Sequence, residues 1–506
     1  MDLLHNIAHG FEVALTPINF LYCVIGATLG TFVGVLPGLG PLATIAMLLP
    51  ITFKIPALAS LIMLTGIYYS AHHSGSTTAI MLNMPGEPSS IIICVDGHPM
   101  ARQGRAGPAL CISALGSFFA GCVCVIIIAV FSPALAAIAL NFGAAEYTSL
   151  VVLALLASSA LAGRSLVTTV AMAVLGILLG CVGTDVNSGR ERFTFGIQDL
   201  ADGMSFVMIG VGLFAFTEII SQLGRERREK IVSAKVQGLY PTGADLKAAW
   251  KPILRGTSLG AVLGVLPGTG PLVCSFLAYT IEKKLAKDPS RFGKGAIEGV
   301  AAPESADNAA AFTHFIPMLT LGIPAGAPMA LMLGALTIQG ISPGPQLMTE
   351  HADLFWGAIA SMWIGNMMLL VLNLPLIGIW IRLLMIPYRF LYPAIMVFCC
   401  IGVYSLSSSS FDVYVAAGMG VLGYVLHELD CPAPPLILGF ILGPILEENL
   451  RRALLISRGD PMIFLERPIS LALLLLAVTM LLIFCTPLLR RKPQSMLAEE
   501  LAEEGT

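Results

Sequence analysis

Three polar side chains stand in an alanine-rich run where nothing else could carry charge: Glu304, Asp307 and Asn308, in Ala-Pro-Glu-Ser-Ala-Asp-Asn-Ala-Ala-Ala. With Pro303 read as part of a first helical turn, they recur at i, i+3 and i+4 and share a helix face. Two carboxylates and an amide in that pattern can hold a coupling cation or carry a proton. A capped helix start at an interface is the structural alternative. A second polar run, Ser74-Gly75-Ser76-Thr77-Thr78, leads into Asn83-Met84-Pro85-Gly86-Glu87-Pro88. If the intervening residues are helical, Ser76 and Asn83 lie seven apart on one face. Hydroxyls and an amide can bind a carboxylate or a Na⁺ without titrating. They can also simply bond back to the i−4 carbonyl of their own helix.

Two further motifs interrupt apolar stretches: Pro37-Gly38-Leu39-Gly40-Pro41 and Pro267-Gly268-Thr269-Gly270-Pro271. Proline removes a backbone donor and glycine opens positive φ, so helical continuity should fail at both. A helix N-terminus exposed by such a break offers free N–H groups and a positive dipole end to an anion. No Arg or Lys occurs within 70–88 or 302–328. Anion recognition is therefore expected from backbone N–H groups exposed at the breaks that Pro37, Gly38 and Gly40 form in the first half and Pro267, Gly268 and Gly270 in the second. Gly75, Ser76, Thr77, Thr78, Asn83, Pro85 and Gly86 would complete the shell, with Gly322 and Pro324 as second-half counterparts. Glu304, Asp307 and Asn308 are expected to take the coupling ion. Kinks that only ease helix packing are the bland reading of the same motifs.

The elements that must position these residues are membrane helices. Hydrophobic residues make up 56% of 506 and charged residues 12%, about half the charge of a soluble domain; mean hydropathy is +0.84. Apolar stretches able to cross ~30 Å of hydrocarbon recur near 17–36, 56–82, 108–131, 146–161, 165–184, 203–223, 253–281, 313–340, 354–380, 391–406, 412–426, 432–446 and 468–489. The expected fold is an all-α polytopic membrane protein of about twelve transmembrane helices. The segment before the first span lacks Lys and Arg, so no cleavable signal is expected.

The sequence also repeats. Residues 30–41 and 260–271 share Gly-Val-Leu-Pro-Gly-x-Gly-Pro at an offset of 230. A weaker echo links Leu82-Asn83-Met84-Pro85-Gly86 with Leu321-Gly322-Ile323-Pro324-Ala325. The organisation expected is a first repeat (1–223), a basic linker (224–252), a second repeat (253–446), and a C-terminal helix with an acidic tail (447–506). The linker's Arg and Lys residues place it in the cytoplasm. The N-terminus then lies outside, which makes the repeats inverted. Lys283, Lys284, Lys287, Arg291 and Lys294 disagree with a single crossing at 253–281: either this region dips in and returns, breaking at Pro267-Gly268, or the positive-inside rule fails here.

Other chemistries fail when tested. There is no Gly-x-Ser-x-Gly around Ser74, no His-Glu-x-x-His, and no phosphate-binding Gly-x-x-x-x-Gly-Lys-Ser/Thr. An ATP-driven pump is excluded for this chain alone, and no enzyme activity, metal or cofactor is expected. No basic cluster interleaved with aromatics suggests nucleic acid. The cysteines, lacking paired spacing, read as core residues. His72, His73 and His314 adjoin the polar runs as secondary candidates for proton carriage.

These motifs carry a family resemblance over nearly the whole chain. Gly34 to Pro41, Gly75-Ser76-Thr77-Thr78 through Leu82 to Glu87, and Gly189-Arg190-Glu191-Arg192-Phe193-Thr194-Phe195-Gly196 resemble TctA, the large membrane subunit family of the tripartite tricarboxylate transporters. So do Ala302-Pro303-Glu304 with Asn308, and Leu438-Gly439 through Glu447-Glu448-Asn449-Leu450-Arg451-Arg452. The chain departs from the family pattern at Ala71-His72-His73-Ser74, where glycines are usual, and at Asp307-Asn308, where Asn-Asn is usual. Both departures lie beside the expected site. The resemblance implies a secondary active transporter subunit of the bacterial inner membrane, taking up tricarboxylates or related carboxylates by symport. It further implies Na⁺ or H⁺ as coupling ion, a small TctB-like membrane subunit, and a periplasmic TctC-like binding protein that delivers substrate. The alternatives are a non-transporting membrane scaffold and an intramembrane hydrolase built on His73, Ser74 or the Asp307 cluster.

Overall fold

The computed structural model describes residues 3–36, 40–161, 166–185, 188–222, 238–266, 269–383 and 388–485. They are helical nearly throughout; among them, sheet is confined to Gly183–Thr184 paired antiparallel with Glu191–Arg192. Three of the described helices, Pro17–Val35, Ala106–Ala139 and Ala352–Asn373, are long and apolar enough to cross a membrane. The architecture is consistent with the all-α membrane protein expected.

The chain packs as two compact units. One comprises Met1–Leu140 and Ser205–Leu429, the other Asn141–Met204 and Asp430–Thr506. All the expected site residues belong to the first.

At the heart of the first unit, helix Pro17–Val35 lies against helix Ala57–Leu82, and helix Gly243–Leu263 against helix Glu298–Thr313. Small residues set both approaches. A Cβ on Gly26, Gly30 or Gly34 would sit 2.4–2.5 Å from the carbonyl oxygen of Met63, Ile67 or Ala71. On Gly256 or Gly260 it would sit 2.2–2.3 Å from that of Ala302 or Ala306, and on Gly264 2.6 Å from the Ala310 Cα. Small-residue stripes let backbones close together where lipid offers no hydrophobic drive to associate. The glycines of the two stripes are 230 residues apart, and the residues they meet are 239 apart.

The described helices stop on either side of both Pro-Gly motifs. One helix ends at Val35 and the next begins at Pro41; one ends at Leu263 and the next begins at Pro271. Pro41 and Pro271 sit at helix starts, where the missing N–H costs nothing. Pro37-Gly38 and Pro267-Gly268 themselves lie outside the described residues. The helices that follow, Pro41–Thr52 with 12 residues and Pro271–Leu285 with 15, are about 18 and 22 Å long at 1.5 Å per residue, short of ~30 Å of hydrocarbon.

Several expected spans are subdivided. The 253–281 stretch is two helices, and 313–340 is broken between Leu321 and Ala327, where Gly322 adopts φ 69°. Within 206–222 a wider-turn segment, Val211–Phe216, interrupts the α-helix. Apolar composition hid these interruptions because it stays high across a break. Helix Ala433–Ile456 runs past the expected end at 446 and carries Glu447 and Arg451 on its last turns. In the second unit this helix packs on Leu166–Gly180, with Gly176 and Gly439 meeting the opposing backbone.

Candidate functional site

Two helices of the first unit meet in a polar interior. Ala57–Leu82 is buried along nearly its whole length, from Ala59 to Met81, although Ser70 to Thr78 is mostly polar. Glu298–Thr313 is buried from Gly299 to Thr313, with Glu304, Asp307 and Asn308 each at most 1% exposed. Such groups demand partners in an apolar surround, and the contacts show which they take.

Glu304 and Asn308 form one group. Ser117, from Ala106–Ala139, donates to Glu304 Oε1 at 2.6 Å, and Asn308 Nδ2 donates to the same oxygen at 3.1 Å and to Ser117 Oγ at 2.8 Å. The expected i, i+4 adjacency of Glu304 and Asn308 holds. Pro303, however, sits five residues inside the helix rather than in its first turn. Glu304 is thus buried mid-helix and is no interfacial cap.

Asp307 takes different company. Its Oδ1 lies 3.2 Å from His72 Nδ1, and Glu87 Oε2 lies 3.4 Å from that same nitrogen. Ser89 Oγ is 3.5 Å from it and also donates to Glu87 Oε1. Asp307 Oδ2 and Glu304 Oε2 are buried and have no hydrogen-bond partner among the described residues. Among the described residues, His72 is the sole ion-pair partner of Glu87 and Asp307. The three-residue face expected from spacing therefore divides, Glu304 and Asn308 turning to Ser117 and Asp307 to His72.

Local chain geometry delivers Glu87. Helix Ala57–Leu82 ends at Asn83, in the left-handed region with φ 56°. The chain then folds back along the helix, Gly86 N–H donating to Gly75 O at 3.3 Å. A Cβ on Gly86 would meet Gly34 O at 2.1 Å and Thr78 Oγ1 at 2.7 Å; one on Gly75 would meet Glu87 Cγ at 2.9 Å. Gly75 and Gly86 serve this close return. A short 3₁₀ turn, Pro88–Ser90, then starts a new helix, Glu87 and Ser90 capping each other.

The hydroxyl run is internally engaged. Ser76 Oγ bonds Ser113 Oγ at 2.8 Å and His73 O at 3.2 Å; Thr78 donates to Gly75 O at 2.9 Å. Thr77 is buried. Asn83, beyond the helix end, is exposed, with Pro85 half-buried. The shared helical face expected of Ser76 and Asn83 does not form, because the left-handed turn takes Asn83 out of register. Gly322 turns left-handed as Asn83 does, followed by buried Pro324.

The second break reaches this interior through His314. Its Nδ1 bonds Tyr68 OH at 3.0 Å and its Nε2 lies 3.4 Å from Thr269 O. Tyr68 also packs edge-on to His72, with centroids 4.7 Å apart. Gly40 and Gly270 are different: an added Cβ at either meets no described residue within 4 Å.

Sequence reasoning left out Glu87, Ser89, Ser113, Ser117 and Tyr68, and ranked His72 and His314 low. One signal was available. The two departures from the family pattern, His72 and Asp307, touch each other.

A family model described as the tripartite tricarboxylate transporter TctA family matches residues 20–438. The chain is 54% identical over 500 residues to an uncharacterized 52.8 kDa protein in the TAR-I ttuC′ 3′ region of Agrobacterium vitis, covering 99% of this chain and all of that protein. It is 55% identical over 241 residues to an uncharacterized protein in the TAR-II ttuC′ 3′ region of the same organism, covering 48% of this chain and all of that one. No solved structure matches.

Proposed function

The chain belongs to the tripartite tricarboxylate transporter TctA family, and from that premise we propose that it is the multi-pass inner-membrane subunit of a binding-protein-dependent carboxylate symporter. The single observation that carries the mechanism is the buried meeting of helices Ala57–Leu82 and Glu298–Thr313, which puts carboxylates and hydroxyls together with no Lys or Arg among them. Secondary transporters place substrate and ion where repeats meet, at interrupted helices.

In this reading the two halves are inverted repeats. Support comes from the matched glycine stripes, the matched helix ends at Val35 and Leu263, and the left-handed turns at Asn83 and Gly322, again 239 residues apart. The short helices from Pro41 and Pro271 fit segments that dip into the membrane and return, which reconciles the lysines after Leu285 with a cytoplasmic side. The open surroundings of Gly40 and Gly270 suit backbone N–H groups that receive an anion, with Asn83 exposed nearby in the chain. Buried Ser76, Thr77 and Thr78 then shape the lining rather than touch substrate first. Glu304, Asp307 and Asn308 offset a cation, Na⁺ or H⁺. Substrate arrives on a periplasmic binding protein, and a small membrane subunit completes the complex.

The test is uptake of a radiolabelled tricarboxylate into proteoliposomes holding the complex, with binding protein present, varying substrate and ion separately. A charge-assisted hydrogen bond contributes ~1.5–3 kcal/mol, so Asn83→Ala is expected to lower uptake at limiting substrate by about tenfold or more. Asp307→Ala is expected to alter the dependence on Na⁺ or pH. Normal substrate and ion dependence in both variants would put the site elsewhere.

A further inference from the structure

Three oxygens converge on one nitrogen in this interior: Asp307 Oδ1 at 3.2 Å, Glu87 Oε2 at 3.4 Å and Ser89 Oγ at 3.5 Å from His72 Nδ1. A single N–H cannot serve three acceptors well. Moreover, Asp307 is only 1% exposed, and its Oδ2 has no hydrogen-bond partner among the described residues. His72 and Glu87 are 4% and 5% exposed. Two carboxylates stripped of water, facing one imidazole, leave negative charge that hydrogen bonding alone does not offset.

We propose that His72, Glu87 and Asp307 form a binding site for a divalent first-row transition metal ion. Their ligand atoms lie within 4.8 Å of one another. Ligands bound at about 2.0–2.2 Å to such an ion are neighbours at roughly 3–3.5 Å, the spacing found around His72 Nδ1. An imidazole nitrogen with carboxylate oxygens suits zinc, manganese or cobalt; sodium and calcium favour oxygen alone. The ligands come from helix Ala57–Leu82, the return after Asn83, and helix Glu298–Thr313, so the ion would tie three segments together. Three protein ligands leave coordination positions open. Resting on the transport reading, one such position takes a substrate carboxylate, which explains how an anion is tolerated beside buried acids.

The experiment uses the full-length protein in detergent, stripped with chelator and titrated with Co²⁺ alone, read by visible absorption and by imidazole proton resonances. The expected result is one Co²⁺ per chain, displaced by Zn²⁺, with a paramagnetically shifted histidine resonance. Asp307→Asn and His72→Gln should each weaken binding at least tenfold. A wild-type protein that binds no stoichiometric Co²⁺, or binds it without a shifted histidine resonance, overturns the site without needing any variant. So does unchanged affinity in both variants when their melting matches wild type. None of these failures bears on Asn83, whose effect on uptake tests the transport reading separately. If Co²⁺ binds but uptake is the same in stripped and loaded proteoliposomes, the substrate-bridging role falls.

Discussion

The chemistry of this protein turns on which buried side chain each acid finds. Glu304 leans on Ser117 and Asn308, while its second carboxylate oxygen has no hydrogen-bond partner among the described residues. Ser117→Ala leaves that acid with one fewer donor in a dry interior, a loss of about 1–3 kcal/mol. The expected outcome is a lower melting temperature in detergent, while Ser117→Thr, which keeps the hydroxyl, restores part of it. Equal melting of wild type and Ser117→Ala would show that Glu304 does not depend on this bond. Glu304 and Asp307 were legible in the sequence, since carboxylates in an alanine-rich run stand out; Glu87, in the turn beyond its helix end, was not. Their partners were not. Ser117 and His72 lie 187 and 235 residues from the acids they meet, and helical spacing reports only neighbours on the same helix. The departure from the family pattern at two contacting positions was the one clue that crossed that distance.

At the scale of elements, glycine does two jobs that one substitution can separate. Gly30 and Gly260 lie against opposing backbone, where a methyl group has no room. Gly30→Ala and Gly260→Ala should each cost about 1–3 kcal/mol or more through overpacking, seen as earlier thermal unfolding. A Cβ on Gly40 or Gly270 meets no described residue within 4 Å, and their φ values of −55° and −63° suit alanine. Gly40→Ala and Gly270→Ala should therefore leave melting unchanged and lower uptake, if anions approach the backbone there. Unchanged uptake in both would remove the breaks from the substrate path. In the second unit, Arg192 Nη1 holds Glu447 Oε1 at 2.7 Å and Arg451 Nη2 holds it at 2.6 Å, beyond the apolar stretch of that helix. The bond to Arg192 keeps the Glu447 carboxyl below its usual range. A depressed carboxyl contributes stability above its unfolded-state pKa, and the contribution fades as pH falls through the folded value. Glu447→Gln should thus lower the melting temperature at pH 7 and converge with wild type at strongly acidic pH. An equal deficit at both would point to packing instead. The helix ends at Val35 and Leu263 and the new starts at Pro41 and Pro271 flank the motifs where breaks were expected, because proline and glycine carry backbone constraints wherever they stand. The breaks near Gly322 and at Val211–Phe216 were less so, since high hydropathy continues through them and only the hydrogen-bonding pattern changes.

As a whole molecule the chain reads as an all-α membrane protein, and hydropathy alone carried that conclusion. What hydropathy could not supply was the division into compact units. The unit containing residues 141–204 draws its other part from beyond residue 430, and such long-range packing leaves no local pattern. The account makes the subunit a conduit that depends on delivery. The most direct test is uptake of a labelled tricarboxylate into proteoliposomes holding this chain and its small membrane subunit, with an ion gradient imposed, with and without the cognate periplasmic binding protein. The account predicts saturable, gradient-dependent uptake that needs the loaded binding protein. Uptake at the same rate without any binding protein, or none with every component and gradient present, would contradict it.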